Sequence, residues 1–340
     1  MHPKEVFILA IESSCDDTAA AVLCNGKVLS NEVARQSIHE EYGGVVPELA
    51  SRAHQQNIVP VIDVALKKAQ INKEQLSAIA FTQGPGLMGS LLVGASFAKS
   101  MAMALEIPLI AVNHMHAHIL AHFIDEEGFD KPNFPFLALT ISGGHTQIVK
   151  VHDFFHMEII GETTDDAVGE AFDKTAKILG LPYPGGPLID QFAQIGNPKK
   201  YTFTHPKVEG LNFSFSGLKT QILYFVQRNT KENPNFIEEN KADICASVQE
   251  TIIAILMDKL KMAVAETGIK QIAIGGGVSA NSGIRNTLKA SEDKYGWKTF
   301  IPKFEYTTDN AAMIGIVGYH KFLHDQFSDA NTVSKARIEF

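Results

Sequence analysis

The segment NHMHAH, residues 113–118, carries the histidines best placed for metal chemistry. Residues four apart on a helix lie on one face about one turn apart, so His114 and His118 can reach the same ion. His116 then points elsewhere, and His122 repeats the same spacing from His118. In an arbitrary HxxxH segment, the two histidines are more often surface or core residues that bind no metal. The spacing therefore leaves a metal site and structural histidines as alternatives.

A metal held by two imidazoles needs a further ligand, and an oxygen ligand suits a mixed histidine and carboxylate site. Asp309, in YTTDNAAMIG, is the candidate. It stands where a helix is expected to start, and helix capping is the ordinary role of an aspartate there. The hypothesis is one divalent ion held by His114, His118 and Asp309.

Glycine-rich turns form the second set of candidates. Ser142-Gly143-Gly144-His145 is the expected turn of a hairpin, where glycines allow backbone N–H groups to approach an anion. The segment GGGVSAN, 275–281, lies between an expected strand and an expected helix, as does TQGPGLMGS, 82–90. The latter lacks GK[ST] and is not a P-loop. One such turn is usually structural, whereas the combination favours one anion site.

Two further carboxylates lie near expected helices. Asp190 ends YPGGPLID, 183–190, and can either contact a ribose hydroxyl or belong to a capped helix after a rigid turn. Asp173 is followed by Lys174, and an exposed ion pair is the ordinary expectation for such neighbours.

The elements that must position these residues follow an alternating pattern. VFILAI, TAAAVL and KVLSNEVA predict three antiparallel strands. Helical spacing over 47–68, 87–105 and 114–123 then alternates with expected strands over 78–82 and 109–112. The segment FLALTISGGHTQIVKV, 136–151, repeats the opening strand, turn and strand, by duplication or by chance.

Duplication predicts an α/β fold of two ribonuclease H-like lobes with a nucleotide cleft between them. This layout resembles the superfamily of actin, sugar kinases and Hsp70 chaperones. The first lobe is expected to comprise 1–133 and 305–340, with a closing helix over 309–323, and the second 134–304. Residues 199–240 are polar and are interrupted by prolines, which predicts a surface excursion.

Composition indicates a globular cytoplasmic protein. With 340 residues, 45% of them hydrophobic, the chain can bury a large core. Lys99 and Glu106 interrupt its most apolar stretch, 91–112, which disfavours a membrane span, and the apolar start is too short for a signal peptide. Three cysteines without CxxC spacing suggest reduced thiols. The net charge of -8 counts against a strongly basic nucleic-acid surface, although a local patch or a partner can hold RNA.

Nine motifs in a fixed order, from Ile8 to about Lys321, resemble the TsaD family of tRNA threonylcarbamoyladenosine (t6A) transferases. They are IESSCDDTAAAV, GGVVPELASRAH, TQGPGLMGSLLVG, NHMHAH, ISGGHTQIV, GEAFDKTAKILGLPYPGGP, FSFSGLKT, GGGVSAN and TDNAAMI. The resemblance implies transfer of threonylcarbamoyl from threonylcarbamoyl-AMP to N6 of adenosine 37 in tRNAs that read ANN codons.

The resemblance also implies site residues and partners. His114, His118 and Asp309 would hold one ion, Fe(II) first, with Zn(II) or Mg(II) as alternatives. The adenylate-type nucleotide would contact Ile141, Ser142, Gly143, Gly144, His145, Asp173, Gly186, Asp190 and Asn281. Expected partners are tRNA, a metal-lacking paralogue, TsaB, and a small ATPase, TsaE, with no membrane. His116 stands where the bacterial pattern has Glu. No residue emerges as the general base.

Three other functions remain open. A zinc peptidase of the HExxH type needs a glutamate where this chain has Met115. An ATPase or kinase of the same superfamily is kept open by Glu12 and Asp17 near the first hairpin turn. A non-enzymatic scaffold would have no reason to keep three converging ligands.

Overall fold

The computed structural model describes residues 5–338 and 340. The chain divides into a first unit, Met1–Lys131 with Pro302–Phe340, and a second unit, Pro132–Ile301. The sequence placed these boundaries at 133/134 and 304/305.

The first unit opens with a three-stranded meander that continues into alternating helices and strands. Its elements are β1 (Phe7–Glu12), β2 (Thr18–Cys24), β3 (Lys27–Ala34), α1 (Ile38–Tyr42), α2 (Pro47–Ala69), a 3-10 helix (Lys73–Gln75), β4 (Ala78–Gly84), α3 (Met88–Leu105), β5 (Leu109–Asn113), α4 (His114–Leu120) and a 3-10 helix (Ala121–Phe123).

The second unit begins with another meander and contains the longest helix. Its elements are β6 (Phe136–Ile141), β7 (Thr146–Val151), β8 (Met157–Glu162), α5 (Val168–Ile178), α6 (Gly185–Ala193), α7 (Ser216–Glu232), α8 (Phe236–Thr267), β9 (Gln271–Gly275), a 3-10 helix (Gly277–Ala280), α9 (Ser282–Tyr295) and β10 (Lys298–Phe300). A 3-10 helix (Phe304–Tyr306) and α10 (Ala311–Leu323) then return to the first unit.

The two sheets have the same topology. The first has the order β3-β2-β1-β4-β5 and the second β8-β7-β6-β9-β10. In each, the first three strands pair antiparallel, the fourth pairs parallel to the first strand of the meander, and the fifth pairs parallel to the fourth. The predicted duplicated α/β fold is confirmed.

The first sheet is covered on both faces, which explains why β1 is apolar along almost its whole length. Leu9 and Ile11 contribute to the core beneath α2 and α3, while Ile8 and Ala10 face α10. Gly315 and Gly318 of α10 approach the sheet so closely that a Cβ would overlap Leu23 or Ala80. These glycines allow α10, which follows Asp309, to lie directly on the strands.

Helix α3 is long and apolar enough to cross a membrane by length and composition alone. Its residues Leu91, Ala95, Ala98 and Ala102 are buried, and the helix packs against α2 and β4. We therefore interpret α3 as a core helix of the first unit.

The predicted surface excursion over 199–240 is wrong. Leu218, Ile222 and Val226 form a stripe on α7 that is buried in the core of the second unit. Phe213 and Phe215, before this helix, are also buried there. The polar composition of the segment concealed a narrow apolar face, because residues four apart lie on one side of a helix.

Two helix boundaries differ from the sequence prediction. The closing helix begins at Ala311, because Asn310 is its N-cap and accepts a hydrogen bond from the Met313 N–H. Asp309 therefore precedes the cap and is free of that role. The helix expected over 114–123 becomes α4 followed by a 3-10 turn, in which His122 lies.

Candidate metal centre and glycine-rich turns

Three ligand atoms of the first unit converge. His114 Nε2 lies 3.1 Å from His118 Nε2, and Asp309 Oδ1 lies 3.4 and 3.3 Å from these two nitrogens. Ligands held about 2.1 Å from one ion, at angles between 90° and tetrahedral, would lie about 3.0–3.4 Å apart. The spacing of the three atoms therefore fits a single metal ion.

Local structure explains how the histidines reach this arrangement. Strand β5 runs directly into α4, and the Asn113 side chain caps that helix by accepting the N–H groups of Met115 and His116. His114 and His118 then stand one turn apart and are both buried. The Asp309 side chain is 26% exposed, which leaves one side of the triad open to a substrate.

A second carboxylate supports His114 from behind. Glu12, fully buried at the end of β1, places Oε2 3.1 Å from His114 Nδ1. It also accepts hydrogen bonds from the Thr82 hydroxyl and from the Ser14 N–H. Metal-binding histidines usually donate their other ring N–H to such a group, which orients Nε2 toward the ion. By contrast, His118 Nδ1 is buried with no hydrogen-bond partner in the described part of the chain.

The charges around the triad suit a divalent cation. Burial would raise the pKa of Asp309 and of Glu12, but the neighbouring His114 outweighs burial and holds both below their usual values. The same two carboxylates raise the pKa of His114 against the effect of burial. Burial lowers the pKa of His118, which keeps its imidazole neutral and able to bind a metal.

Sequence reasoning missed the role of Glu12 and considered it only as a kinase residue. A charged residue at the end of the buried run FILAIE was the available signal, because a buried carboxylate needs a specific partner. Ser14, whose hydroxyl lies 3.3 Å from His114 Nδ1, carried no such signal.

Asp17 lies in the turn that follows β1. Burial, reinforced by the negative charges of Asp16 and Asp309, raises the pKa of Asp17 to about 7. This turn therefore places a carboxyl group with a raised pKa close enough to Asp309 to interact with its charge.

His116 points away from the triad, as the helical spacing predicted. Its ring centroid lies 4.8 Å from that of Phe340, and burial, with Lys321 nearby, lowers the pKa of His116 to about 4. The departure from the bacterial pattern at this position leaves the three ligand atoms in place.

In the second unit, the turn Ser142–His145 forms as predicted. Ser142 N donates to His145 O, and His145 N donates to the Ser142 hydroxyl. A Cβ built at Gly143 or Gly144 would meet nothing within 4 Å. The turn is therefore open on the side of these two Cβ positions, while Gly169 packs against the Gly143 backbone and donates to Ser142 O on another side. Ile141 is fully buried, and its backbone lies against Gly276.

The segment 275–281 lies against the end of β6. Gly276 has φ +88, and a Cβ there would overlap the carbonyl oxygen of Ile141. Asn281 then caps α9 by accepting the Ile284 N–H, and its amide donates to Gln249. The structure thus places Asn281 at a helix start near the end of β6.

Asp173 and Asp190 both accept hydrogen bonds from residues at the N-terminus of a helix. Asp173 Oδ1 accepts the N–H groups of Gly185 and Gly186 at 2.9 and 3.1 Å, and burial raises its pKa. Asp190 accepts the N–H and hydroxyl of Ser282. The expected ion pair of Asp173 with Lys174 is wrong, because Lys174 instead pairs with Asp166 and Glu170.

Comparison with known proteins identifies the family. The model of TsaD, tRNA N6-adenosine threonylcarbamoyltransferase, matches residues 27–316. The chain belongs to this family. A TsaD protein of Christiangramia forsetii, named tRNA N6-adenosine threonylcarbamoyltransferase, is 72% identical over 340 residues and is covered completely, as is this chain. One of the same name from Riemerella anatipestifer is 60% identical, with 99% of this chain and 98% of the relative covered.

Solved structures support the fold that this TsaD family member adopts. Full-length HypF aligns with a TM-score of 0.62 at 13% identity, over 95% of this chain and 47% of that one. Component A of the (R)-2-hydroxyglutaryl-CoA dehydratase of Acidaminococcus fermentans aligns with a TM-score of 0.52 at 16% identity, over 93% and 98%. At these identities the likeness concerns the fold alone.

Proposed function

We propose that this TsaD family member transfers the threonylcarbamoyl group of threonylcarbamoyl-AMP to N6 of adenosine 37 in tRNAs that read ANN codons, forming t6A. The observation that carries the proposal is the convergence of His114, His118 and Asp309 in a chain that matches the family over 27–316. The reaction forms a bond between N6 and the carbamoyl carbon. It breaks the bond from that carbon to the phosphate oxygen, so AMP leaves with the electron pair, and N6 releases one proton to the solvent.

His114, His118 and Asp309 would hold one divalent ion. Two imidazoles and one carboxylate suit several ions, and the family resemblance favours Fe(II), with Zn(II) and Mg(II) as alternatives. When bound, such an ion supplies Lewis acidity toward phosphate and carbamoyl oxygens. Glu12 keeps the His114 ring in the orientation that presents Nε2. Asp309, the most exposed of the three ligands, lies on the open side of the triad.

The adenylate would bind through the candidate residues of the second unit. In the turn Ser142–His145, the exposed Gly143 and Gly144 would offer their N–H groups to an anionic group, whereas the N–H groups of Ser142 and His145 already donate within the turn. Asp190 accepts two hydrogen bonds from Ser282, and a carboxylate has about four lone-pair positions, so a ribose hydroxyl can still bind it.

The remaining contacts would come from loops near this turn. Asp173 holds Gly185 and Gly186 in place, so Gly186 can approach the nucleotide through its backbone. Ile141 would contribute its backbone and Asn281 its amide. These roles follow from the family resemblance and from the open space around the glycines.

Partners and location complete the proposal. The net charge of -8 favours a complex in which another subunit contributes to tRNA binding. A metal-lacking paralogue of the TsaB type and a small ATPase of the TsaE type are the proposed partners. We place the complex in the cytoplasm, where its tRNA substrate is made.

A transfer assay tests this function. Threonylcarbamoyl-AMP, unmodified tRNA and the proposed partners are combined with wild type, His118→Ala or Asp309→Ala, and t6A is measured. Both variants should lose at least about 99% of the activity, because loss of a ligand removes the ion. His122→Ala is the matched control, since His122 belongs to the same segment but not to the triad. Full turnover by His118→Ala in metal-free buffer would contradict the metal role.

The superfamily alternative, an ATPase or kinase, is not favoured by the family match. It differs in ligand preference. A kinase requires a γ-phosphate, whereas the proposed transferase binds an AMP-like ligand equally well without one.

The protease alternative lacks a catalytic glutamate, because buried Met115 occupies that position. Peptide hydrolysis with a metal-free control tests it.

A further inference from the structure

The segment after α10, described over residues 328–338 and at 340, contacts the elements around the metal triad. We propose that this segment, here called the strap, positions the metal-bearing helix α4 and the loop between β4 and α3. The proposal rests on the metal centre described above and assigns a function to residues outside it.

The strap first covers the edge of the first sheet. Strand β5 is the last strand in the order β3-β2-β1-β4-β5, so one side of its backbone lacks a strand partner. Ser328 N donates to Leu109 O at 2.8 Å, and Ser328 Oγ accepts the Ala111 N–H at 3.0 Å. Lys321 Nζ, at the end of α10, donates to Ala111 O at 2.7 Å. These bonds hold β5 two residues before Asn113, the cap of α4.

The strap then binds the end of β4 and the loop between β4 and α3 through three hydrogen bonds. Lys335 N donates to Gln83 O at 2.9 Å, the Gln83 side-chain amide donates to Val333 O at 3.0 Å, and Gly86 N donates to Ala336 O at 3.2 Å. Gly84 lies so close to the strap that a Cβ there would overlap Lys335 O. The loop and the strap therefore form one hydrogen-bonded unit.

This loop leads to the back of the metal triad. Leu87 N donates to Ser14 O at 2.7 Å, and the Ser14 hydroxyl lies 3.3 Å from His114 Nδ1. Thr82, next to Gln83, donates to Glu12, which holds the same ring nitrogen. A shift of the loop would therefore move both groups that orient the His114 imidazole.

The strap also reaches α4 directly. The Phe340 ring packs against His116, which lies between the two metal-binding histidines. The strap thus contacts His116, which is two residues from each metal-binding histidine, and the loop behind them. The strap contacts the loop through its backbone atoms. A role in positioning therefore depends on the backbone conformation of the strap more than on its side chains.

A matched pair of substitutions at Lys335 tests the strap. Lys335→Pro removes the N–H that binds Gln83 O, whereas Lys335→Ala removes the same exposed side chain and keeps the N–H. Co(II) alone is the probe, titrated into metal-free protein and followed by its visible absorption. Loss of an outer-shell contact typically weakens metal binding about 10–100-fold. We expect Lys335→Pro to bind Co(II) at least about tenfold more weakly than Lys335→Ala, with an altered spectrum.

A second variant separates positioning from folding. Gln83→Ala removes the bond to Val333 O without a proline, and Val333→Ala is its control, because that side chain is exposed and the carbonyl remains. Thermal unfolding of the metal-free proteins shows that each variant is folded at the titration temperature. A stability role alone would lower the unfolding midpoint and leave Co(II) affinity and spectrum unchanged.

The outcomes distinguish the two proposals. Weaker Co(II) binding by folded Lys335→Pro or Gln83→Ala supports the strap. Wild-type affinity and spectrum in both variants overturn it while leaving the metal centre intact. Failure of wild type itself to bind Co(II) overturns the metal centre and the strap together.

Discussion

Glu12 Oε2 lies 3.1 Å from Nδ1 of His114, and the opposite nitrogen of that ring, Nε2, lies 3.4 Å from Asp309 Oδ1. The imidazole therefore bridges a fully buried carboxylate and a partly exposed one. The arrangement separates two tasks: Glu12 orients the ring, and Asp309 shares the proposed ion with it.

Glu12→Gln should weaken metal binding about tenfold or more. The neutral amide would orient His114 less strongly, and the substitution removes one of the two carboxylate charges that flank the His114 ring. Isothermal titration with Co(II) measures the change. Glu74→Gln, in the 3-10 helix Lys73–Gln75, is the control and should bind as wild type does. Unchanged affinity in Glu12→Gln would show that His114 is held by packing alone.

Asp190→Ala should weaken binding of AMP about tenfold, because it removes the carboxylate proposed to accept a ribose hydroxyl. The substitution also removes two hydrogen bonds at the start of α9. Ser282→Ala is the control, since it removes the hydroxyl donor and keeps both the carboxylate and its hydrogen bond from the Ser282 N–H. Equal AMP affinity in both variants, measured by equilibrium dialysis, would assign Asp190 to capping only.

Gly315→Ala should destabilise the first unit by about 1–3 kcal/mol, because the added methyl overlaps Leu23 and Ala10 of the sheet beneath α10. Gly217→Ala is expected to change stability in the opposite direction. A Cβ there meets only Pro206, at 3.8 Å, so the change should stabilise α7 by about 0.4–1 kcal/mol. Urea unfolding followed by circular dichroism gives both values. A loss of stability smaller than about 0.5 kcal/mol at Gly315 would mean that α10 can move away from the strands.

Glu292 should contribute a pH-dependent part of the stability of the second unit. Hydrogen bonds from Lys289 and Thr299 lower its pKa from 4.5 to about 2. Because the folded pKa is below the unfolded one, the unfolded chain binds more protons in this interval, and the contribution is lost as the pH falls from about 4.5 toward 2.

Urea unfolding of wild type and Glu292→Gln between about pH 6 and 3 measures this contribution. The difference in unfolding free energy should be largest above about pH 5 and should shrink below it. Glu250→Gln is the control on α8. A difference that stays constant with pH would show that the glutamate acts through packing and not through its charge.

Much of this protein follows from its sequence by itself. Short strand-like segments separated by polar turns predict the two meanders, because apolar and β-branched runs bounded by turn residues are typical of strands. The helical period places His114 and His118 on one face, since their separation is a local property of the backbone. The same local reasoning predicts the turn Ser142–His145. Nine motifs in order were enough to indicate the family, which the comparisons confirmed.

Tertiary structure decided what no local pattern contains. Glu12 reaches His114 because β1 and β4 pair in parallel and β5 follows β4, so the ends of these strands meet at one edge of the sheet. Asp309 joins the histidines because α10 lies on the same sheet, with Asn310 and not Asp309 as its cap. The burial of the apolar face of α7 and the path of the strap likewise depend on contacts between distant segments. Spacing along a chain determines geometry only within an element, whereas the convergence of a carboxylate and two imidazoles depends on how the sheet is assembled.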